Sequence, residues 1–185
     1  MGRFECHSHS MFSNIRLLDC INKPKDLIDR ALEIGLAGLC ITDHESLGGH
    51  VQFDKLRDYA KEKNASFKIG LGNEIYLTDT RDKNQPYYHF ILIAKDSIGH
   101  KMLRELSSNS WINSYFDRGM ERVPTLKSEL ADIIKKYGKD HLIASSACLG
   151  SETDQMILKM IKCETVGDIE GKTEAYNNII ELITF

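Results

Sequence analysis

A chain of 185 residues, 42% hydrophobic and 28% charged, is long enough to bury a sizeable core and has the balance of an ordinary globular protein. Its formal net charge of −3 argues against unassisted nucleic-acid binding, so any DNA contact would be local or supplied by another part of a larger protein. No apolar run approaches the roughly 18 residues of a membrane span, "MGRFECHSHS" lacks the apolar stretch of a secretory signal, and five cysteines without a CxxC pair point to reduced thiols in the cytoplasm.

Strand and helix signals alternate along the chain. "RFECH" reads as a strand, and "NKPKDLIDRALEIG" as a helix with Pro24 in its first turn and Gly35 as its stop. "AGLCIT" is a short buried strand, and "HVQFDKLRDYAKEKN" an amphipathic helix. "FKIGLGNEIYL" and "YHFILIA" are two more strands, separated by the polar loop "TDTRDKNQP". A helix over about 98–108, a less regular stretch around Trp111 and a helix over about 126–137 follow. "HLIASSA" is the fifth strand, and helical segments near 152–162 and 173–184 close the sequence. This alternation predicts βαβ units and a mainly parallel sheet in an α/β fold, with no repeats and no interdomain linker.

The residues that carry chemistry recur near strand ends. His7 and His9 stand two apart, and in a strand such positions share a face, as neighbouring metal ligands would need. Asp19 follows them. Asp43 and His44 sit where "CITDHES" leaves its strand, and Cys148 occupies the same kind of place in "SSACLGSE". Glu74 lies inside an otherwise apolar strand, where a carboxylate must be paired or bound to a metal. His89 stands at the front of "FILIA" rather than behind it. Either that strand runs against its neighbours, or the side chain lies along the strand with Tyr88 and Phe90 facing away.

Each residue also has an ordinary explanation. A histidine beside a strand is commonly a hydrogen-bonded structural residue, a buried cysteine a small hydrophobe, and Asp43 a cap for the following turn. Their recurrence once per strand–loop unit is what these explanations leave unaccounted for. Nitrogen, carboxylate and one thiolate ligand suit zinc, manganese or iron rather than calcium. His50, His100 and His141 stand outside the pattern and read as ordinary.

The segments "CHSHSMFSNIRLLD", "GLCITDHESLGGHVQF", "KIGLGNEIYL", "HFILIAKDSIGHKMLRELSS" and "HLIASSACLGSE" together resemble the PHP (polymerase and histidinol phosphatase) family. Within it, "AKD", "LRELSS" and "CLGSE" resemble the amino-terminal PHP domain of bacterial or phage DNA polymerase III alpha subunits. The resemblance runs to about residue 155; beyond that only a helix in the expected place matches. It implies a distorted (β/α)7 barrel of the TIM type, with up to three metal ions held by nine ligands. His7, His9, Asp19, His44, Glu74, His89 and Cys148 would be seven of these, and Asp43 would orient its neighbours from behind. The remaining two belong to a late aspartate–x–histidine motif that this sequence lacks, since no histidine follows His141. Residues 1–185 are therefore expected to be an incomplete, amino-terminal part of a PHP domain, truncated before the last strands and without the polymerase modules. Cys20 stands where the family has glycine.

The activity implied is that of a metal-dependent phosphoesterase in a DNA-directed DNA polymerase, a nucleotidyltransferase of DNA replication. Hydrolysis by metal-activated hydroxide at a primer 3′ end would make it a proofreading exonuclease, with His7, His9, His44 and Glu74 as its catalytic core. The implied partners are DNA, the other polymerase modules and replisome subunits, with no membrane. Two other readings stand beside it: a non-catalytic scaffold packed on the polymerase, and a free-standing phosphatase acting on a small phosphomonoester, against which the polymerase-type segments count.

Overall fold

The computed structural model describes residues 2–15, 18, 20–117 and 119–184 of the chain. Strand β1 (Phe4–Ser8) leads into a 3-10 turn over Met11–Ile15. Helix α1 (Pro24–Glu33) starts where the fixed φ of proline suits a first turn, and Gly35, at φ +76°, lets the chain turn away after it. Strand β2 (Gly38–Ile41), helices α2 (His50–Lys55) and α3 (Arg57–Lys63), and strands β3 (Lys68–Thr78) and β4 (Tyr88–Ala94) follow. The second half holds α4 (Ser97–Ile112), three short strands β5 (Tyr115–Asp117), β6 (Met120–Arg122) and β7 (Pro124–Leu126), then α5 (Lys127–Tyr137) and β8 (Leu142–Ser146). Helices α6 (Glu152–Val166) and α7 (Ile169–Thr184) complete it. No helix of the described residues is long and apolar enough to cross a membrane.

The main sheet runs β1-β2-β3-β4-β8, with β7 joined to the end of β3. Strands β1, β2 and β3 pair in parallel, as do β3 and β7, whereas β4 is antiparallel to both β3 and β8. The sheet is therefore mixed, and the physical reason is the connection before β4. Residues 79–87 are too few for a crossover helix, so the chain returns beside β3 as a hairpin arm. Strands β5 and β6 form a separate ribbon within the stretch that the sequence reads as irregular. The single helix expected over 50–64 is broken at Leu56 (φ −89°, ψ 1°). Beside the break, Arg57 donates to Asp54 Oδ1 and to the Ile69 carbonyl.

The alternation in "KIGLGNEIYLT" decides which face of the sheet does what. Ile69 packs with Ile28, Phe53 and Ala60 of α1, α2 and α3, while Ile75 and Leu77 pack with Leu103 and Leu106 of α4. Burying each of the larger side chains contributes about 1.5–3 kcal/mol. The alternate positions, Gly70, Gly72, Glu74 and Tyr76, face the other way by the period of two. Small residues are required at the base of that face, because a Cβ on Gly72 would come 2.7 Å from the Leu92 carbonyl oxygen. Helices α1 to α5 thus fasten one side of the sheet, and the other side carries a small buried cluster of Cys40, Ile91 and Ile93 with Glu74 and Tyr76 toward one end.

Candidate metal centre

Strand order brings the singled-out residues to one end of this second face. His7 and His9 come from the end of β1, His44 from the loop after β2, and Glu74 from β3. Because β4 is reversed, its first residues lie where its neighbours finish, and His89 arrives at the same mouth. Of the two arrangements compatible with the sequence, the reversed strand is the one found. Glu74 pairs with Ile91 and Tyr76 with His89, so Glu74, Tyr76 and His89 share a face. A backbone bridge between His44 and Glu74 ties the β2 loop to β3.

Glu74 is the centre of the constellation, and its side chain is 0% exposed. Its Oε2 lies 3.3 Å from His7 Nε2, 3.2 Å from His9 Nε2 and 3.0 Å from His44 Nδ1. Its Oε1 lies 2.7 Å from His89 Nδ1. Burial pushes the Glu74 carboxyl upward, but the hydrogen bonds from His44, His7 and His89 outweigh it and hold the group far below the usual carboxylate range. The same contact with Glu74 raises His7. Two sets of potential ligand atoms, His7–His9–Glu74 and His44–Glu74–His89, each fall within 4.8 Å.

The donor set fits a divalent transition metal. His7 Nε2 and His9 Nε2 face each other at 2.9 Å, a spacing at which two nitrogens need a shared proton or cation between them. The surrounding bonds indicate which nitrogen of His9 carries its lone pair. Ser13 Oγ donates to Asp43 Oδ1 at 2.9 Å and lies 3.3 Å from His9 Nδ1. With its own proton committed to the carboxylate, the hydroxyl accepts from Nδ1–H, so the Nε2 lone pair is turned toward Glu74. Zinc, manganese and iron all accept such nitrogen and oxygen donors.

Asp43 does not face the cluster. Its carboxylate accepts from Ser10 N (2.5 Å), Ser10 Oγ (2.8 Å) and Ser13 Oγ, and burial raises its pKa against those bonds. It reaches His9 through Ser13. Cys148 follows β8 at the same mouth, exposed, with Sγ 3.4 Å from His89 Nδ1. Asp19 lies outside the described residues. His50, His100 and His141 are elsewhere: His50 bonds the Gly72 carbonyl and His100, and His141 bonds Asp96.

Four neighbours of the cluster escaped the sequence reading. Ser10 and Ser13 have no spacing signal, since they act from a 3-10 turn and the residue before it. Tyr76, whose hydroxyl is 2.7 Å from His44 Nδ1, was within reach of the period-two rule, standing two residues from Glu74. Glu45 is fully buried at φ +44° and accepts from Thr125 Oγ1 (3.1 Å) and Tyr76 N (3.4 Å). Its carbonyl accepts from Trp111 Nε1 at 2.8 Å, which couples the loop after His44 to α4.

The PHP domain family matches residues 5–184 of the chain. "Probable DNA polymerase YorL" of Bacillus subtilis and the "DNA-directed DNA polymerase" of Bacillus phage SPbeta are each 39% identical over 97% of the chain. "DNA polymerase III subunit alpha" of Borreliella burgdorferi is 32% identical over 82% of it. The chain spans only 15%, 15% and 12% of the length of these three relatives. With the family matched over nearly every residue and the histidines gathered on one buried carboxylate, the chain belongs to the PHP domain family.

Proposed function

We propose that the chain is a metal-dependent phosphoesterase module of a replicative DNA polymerase, acting on a phosphodiester at a primer 3′ end. The observation that carries this reading is the buried Glu74 carboxylate with four imidazoles, His7, His9, His44 and His89, directed at its two oxygens. His7, His9 and Glu74 would hold one divalent ion, and His44, His89 and the same carboxylate a second, with Cys148 beside His89 and Asp19 added to the set. When bound, such ions supply Lewis acidity and a nucleophilic water at neutral pH. The chain's own part is orientation. Ser13 fixes the His9 tautomer, Tyr76 steadies the His44 ring, and burial of Glu74 keeps solvent off the carboxylate the two ligand sets share.

The similarity to replicative polymerases supports DNA, the other polymerase modules and replisome subunits as partners, in the cytoplasm. The mixed sheet is read as part of a (β/α)7 barrel, with residues 1–185 as an amino-terminal portion of that domain.

The test is release of label from a 3′-labelled primer in manganese, with the metal content of the dialysed protein measured in parallel. His9→Ala combined with Glu74→Ala should abolish both. Equal release and equal metal content in the double variant would refute the assignment.

A further inference from the structure

We propose that Arg122, held by Tyr87, forms an anion-recognition subsite beside the metal centre. It would take the phosphate of a neighbouring nucleotide and thereby select an oligonucleotide end over a small phosphomonoester. The inference rests on the metal-centre reading for what happens at the reacting phosphate, and on separate residues for what happens next to it.

A continuous line of rings leads from the ligands to the guanidinium. Tyr76 packs edge to face on His89, with centroids 4.7 Å apart, and its hydroxyl meets His44. Tyr87, from the loop before β4, stands edge to face on Tyr76 at 5.5 Å. Arg122, the last residue of β6, places Cζ 5.3 Å from the Tyr87 ring centroid, and its Nη1 donates to the Tyr87 hydroxyl. The short β5–β6 ribbon, unforeseen in the sequence, is the element that delivers it.

What distinguishes Arg122 is an unbalanced charge on a half-buried, anchored side chain; Arg104 of α4, also without an ion pair among the described residues, is exposed. Arg3, Arg30, Arg57 and Arg81 pair with Glu5, Glu33, Asp54 and Glu129. Arg122 is half-buried and forms no ion pair among the described residues; its bonds go to a phenol oxygen and to Met120 Sδ. A guanidinium restrained by neutral groups loses little entropy on binding and retains N–H donors whose planar fork matches a phosphate. Arg122 stands two aromatic rings away from His89. A small phosphomonoester seated at the metal ligands would therefore leave it untouched, whereas a chain of nucleotides would bring a second phosphate to it.

The probe is a 5′-fluorescein-labelled oligothymidylate, titrated by anisotropy in chelator over a series of salt concentrations. Arg122→Gln should weaken binding about tenfold and reduce the slope of log affinity against log salt by about one. Arg122→Lys should keep the slope while losing part of the affinity, because it retains the charge without the fork. Tyr87→Phe, which keeps the ring and removes the anchoring hydroxyl, should weaken binding by a smaller factor. A folded Arg122→Gln chain with unchanged affinity and slope would overturn the proposal, as would unchanged binding in Tyr87→Phe if the first variant does not fold. Failure of the phosphoesterase reading registers separately: the wild-type chain would bind the oligonucleotide through Arg122 yet release no label in manganese.

Discussion

Gly150 and His89 are locked together at the rim of the candidate metal centre. The Gly150 carbonyl accepts the His89 backbone N–H at 3.0 Å, and a Cβ at Gly150 would come within 3.0 Å of the His89 ring. The ring holding one side of Glu74 is therefore set by the absence of a side chain after β8. Gly150→Ala should push the ring off Glu74 Oε1 and weaken metal binding by about tenfold, while the melting temperature of the metal-free chain changes little. Competition with a chromogenic chelator measures the first quantity and calorimetry the second. Unchanged metal affinity would show that the ring does not depend on this contact.

Ser13 offers a second handle, because it touches Asp43, His9 and the His44 backbone N–H but none of the Glu74 oxygens. Ser13→Ala removes the acceptor that fixes the His9 tautomer. Loss of a partner behind a ligating histidine typically costs ten- to a hundredfold in metal affinity. Ser13→Thr, which restores the hydroxyl, should recover most of it. If the alanine variant holds metal as tightly as the wild type, the tautomer is set by something else.

The sequence predicted the order of the longer elements because their helices carry 3.6-residue apolar stripes and their strands apolar or alternating runs, and these patterns survive packing. It placed His7, His9, His44 and Glu74 near strand ends for the same reason. The direction of β4 was legible in the polar loop "TDTRDKNQP", too short for a crossover helix, but not in the spacing of His89 within its strand, which left both arrangements open. The serines behind the histidines were silent, since a hydroxyl in a 3-10 turn has no periodicity to betray it. The ribbon β5–β6 was missed because three-residue strands fall below the length at which alternation can be recognised, and with it went Arg122.

Glu45 occupies a left-handed backbone conformation, φ +44°, that costs an ordinary L-residue roughly 1–2 kcal/mol and glycine almost nothing. Its buried carboxylate is bonded to Thr125 Oγ1 and Tyr76 N. Both Glu45→Ala and Glu45→Gly lose those bonds, but only the glycine relieves the backbone. The glycine variant should be more stable than the alanine variant by about 1 kcal/mol in urea unfolding. The opposite order would mean that the loop after His44 changes conformation once the carboxylate is gone.

His50 supplies a pH dependence away from the candidate metal ligands. It is buried, bonds the Gly72 carbonyl through Nε2 and meets His100 through Nδ1. Burial, partly opposed by the Gly72 carbonyl and helped by His100, lowers its pKa from 6.5 to about 4. His100, itself lowered by burial and by Arg104 and raised slightly by Asp54, acts in the same direction. The unfolded chain binds the His50 proton first, so this contribution to stability is complete above pH 6.5 and is lost as the pH falls toward 4. The loss amounts to at most about 3 kcal/mol. Carboxylates titrate over the same range, so the readout is a difference. His50→Asn should lower stability at neutral pH and flatten the decline between pH 6.5 and 4 relative to the wild type. Parallel slopes would exclude His50 as the source.

The far edge of the sheet carries the last prediction. Strand β8 pairs with β4 on one side and, among the described residues, ends the strand order on the other. Ile143 on it is 51% exposed, and Leu149, Ile157, Leu158 and Ile161 add apolar surface in the loop and helix that follow. An unpaired strand edge beside exposed apolar side chains is a template for association, with ladder hydrogen bonds giving direction and apolar burial the free energy. The chain should therefore self-associate in a concentration-dependent way when sized by light scattering. Ile143→Lys with Ile161→Lys, which places charge on the strand and on the first of the two helices, should return it to a monomer without lowering its metal content, since neither residue touches Glu74 or its histidines. A wild-type chain that stays monomeric at the highest concentration reached would show that this edge is already protected. Association that survives both lysines would place the contact on another face.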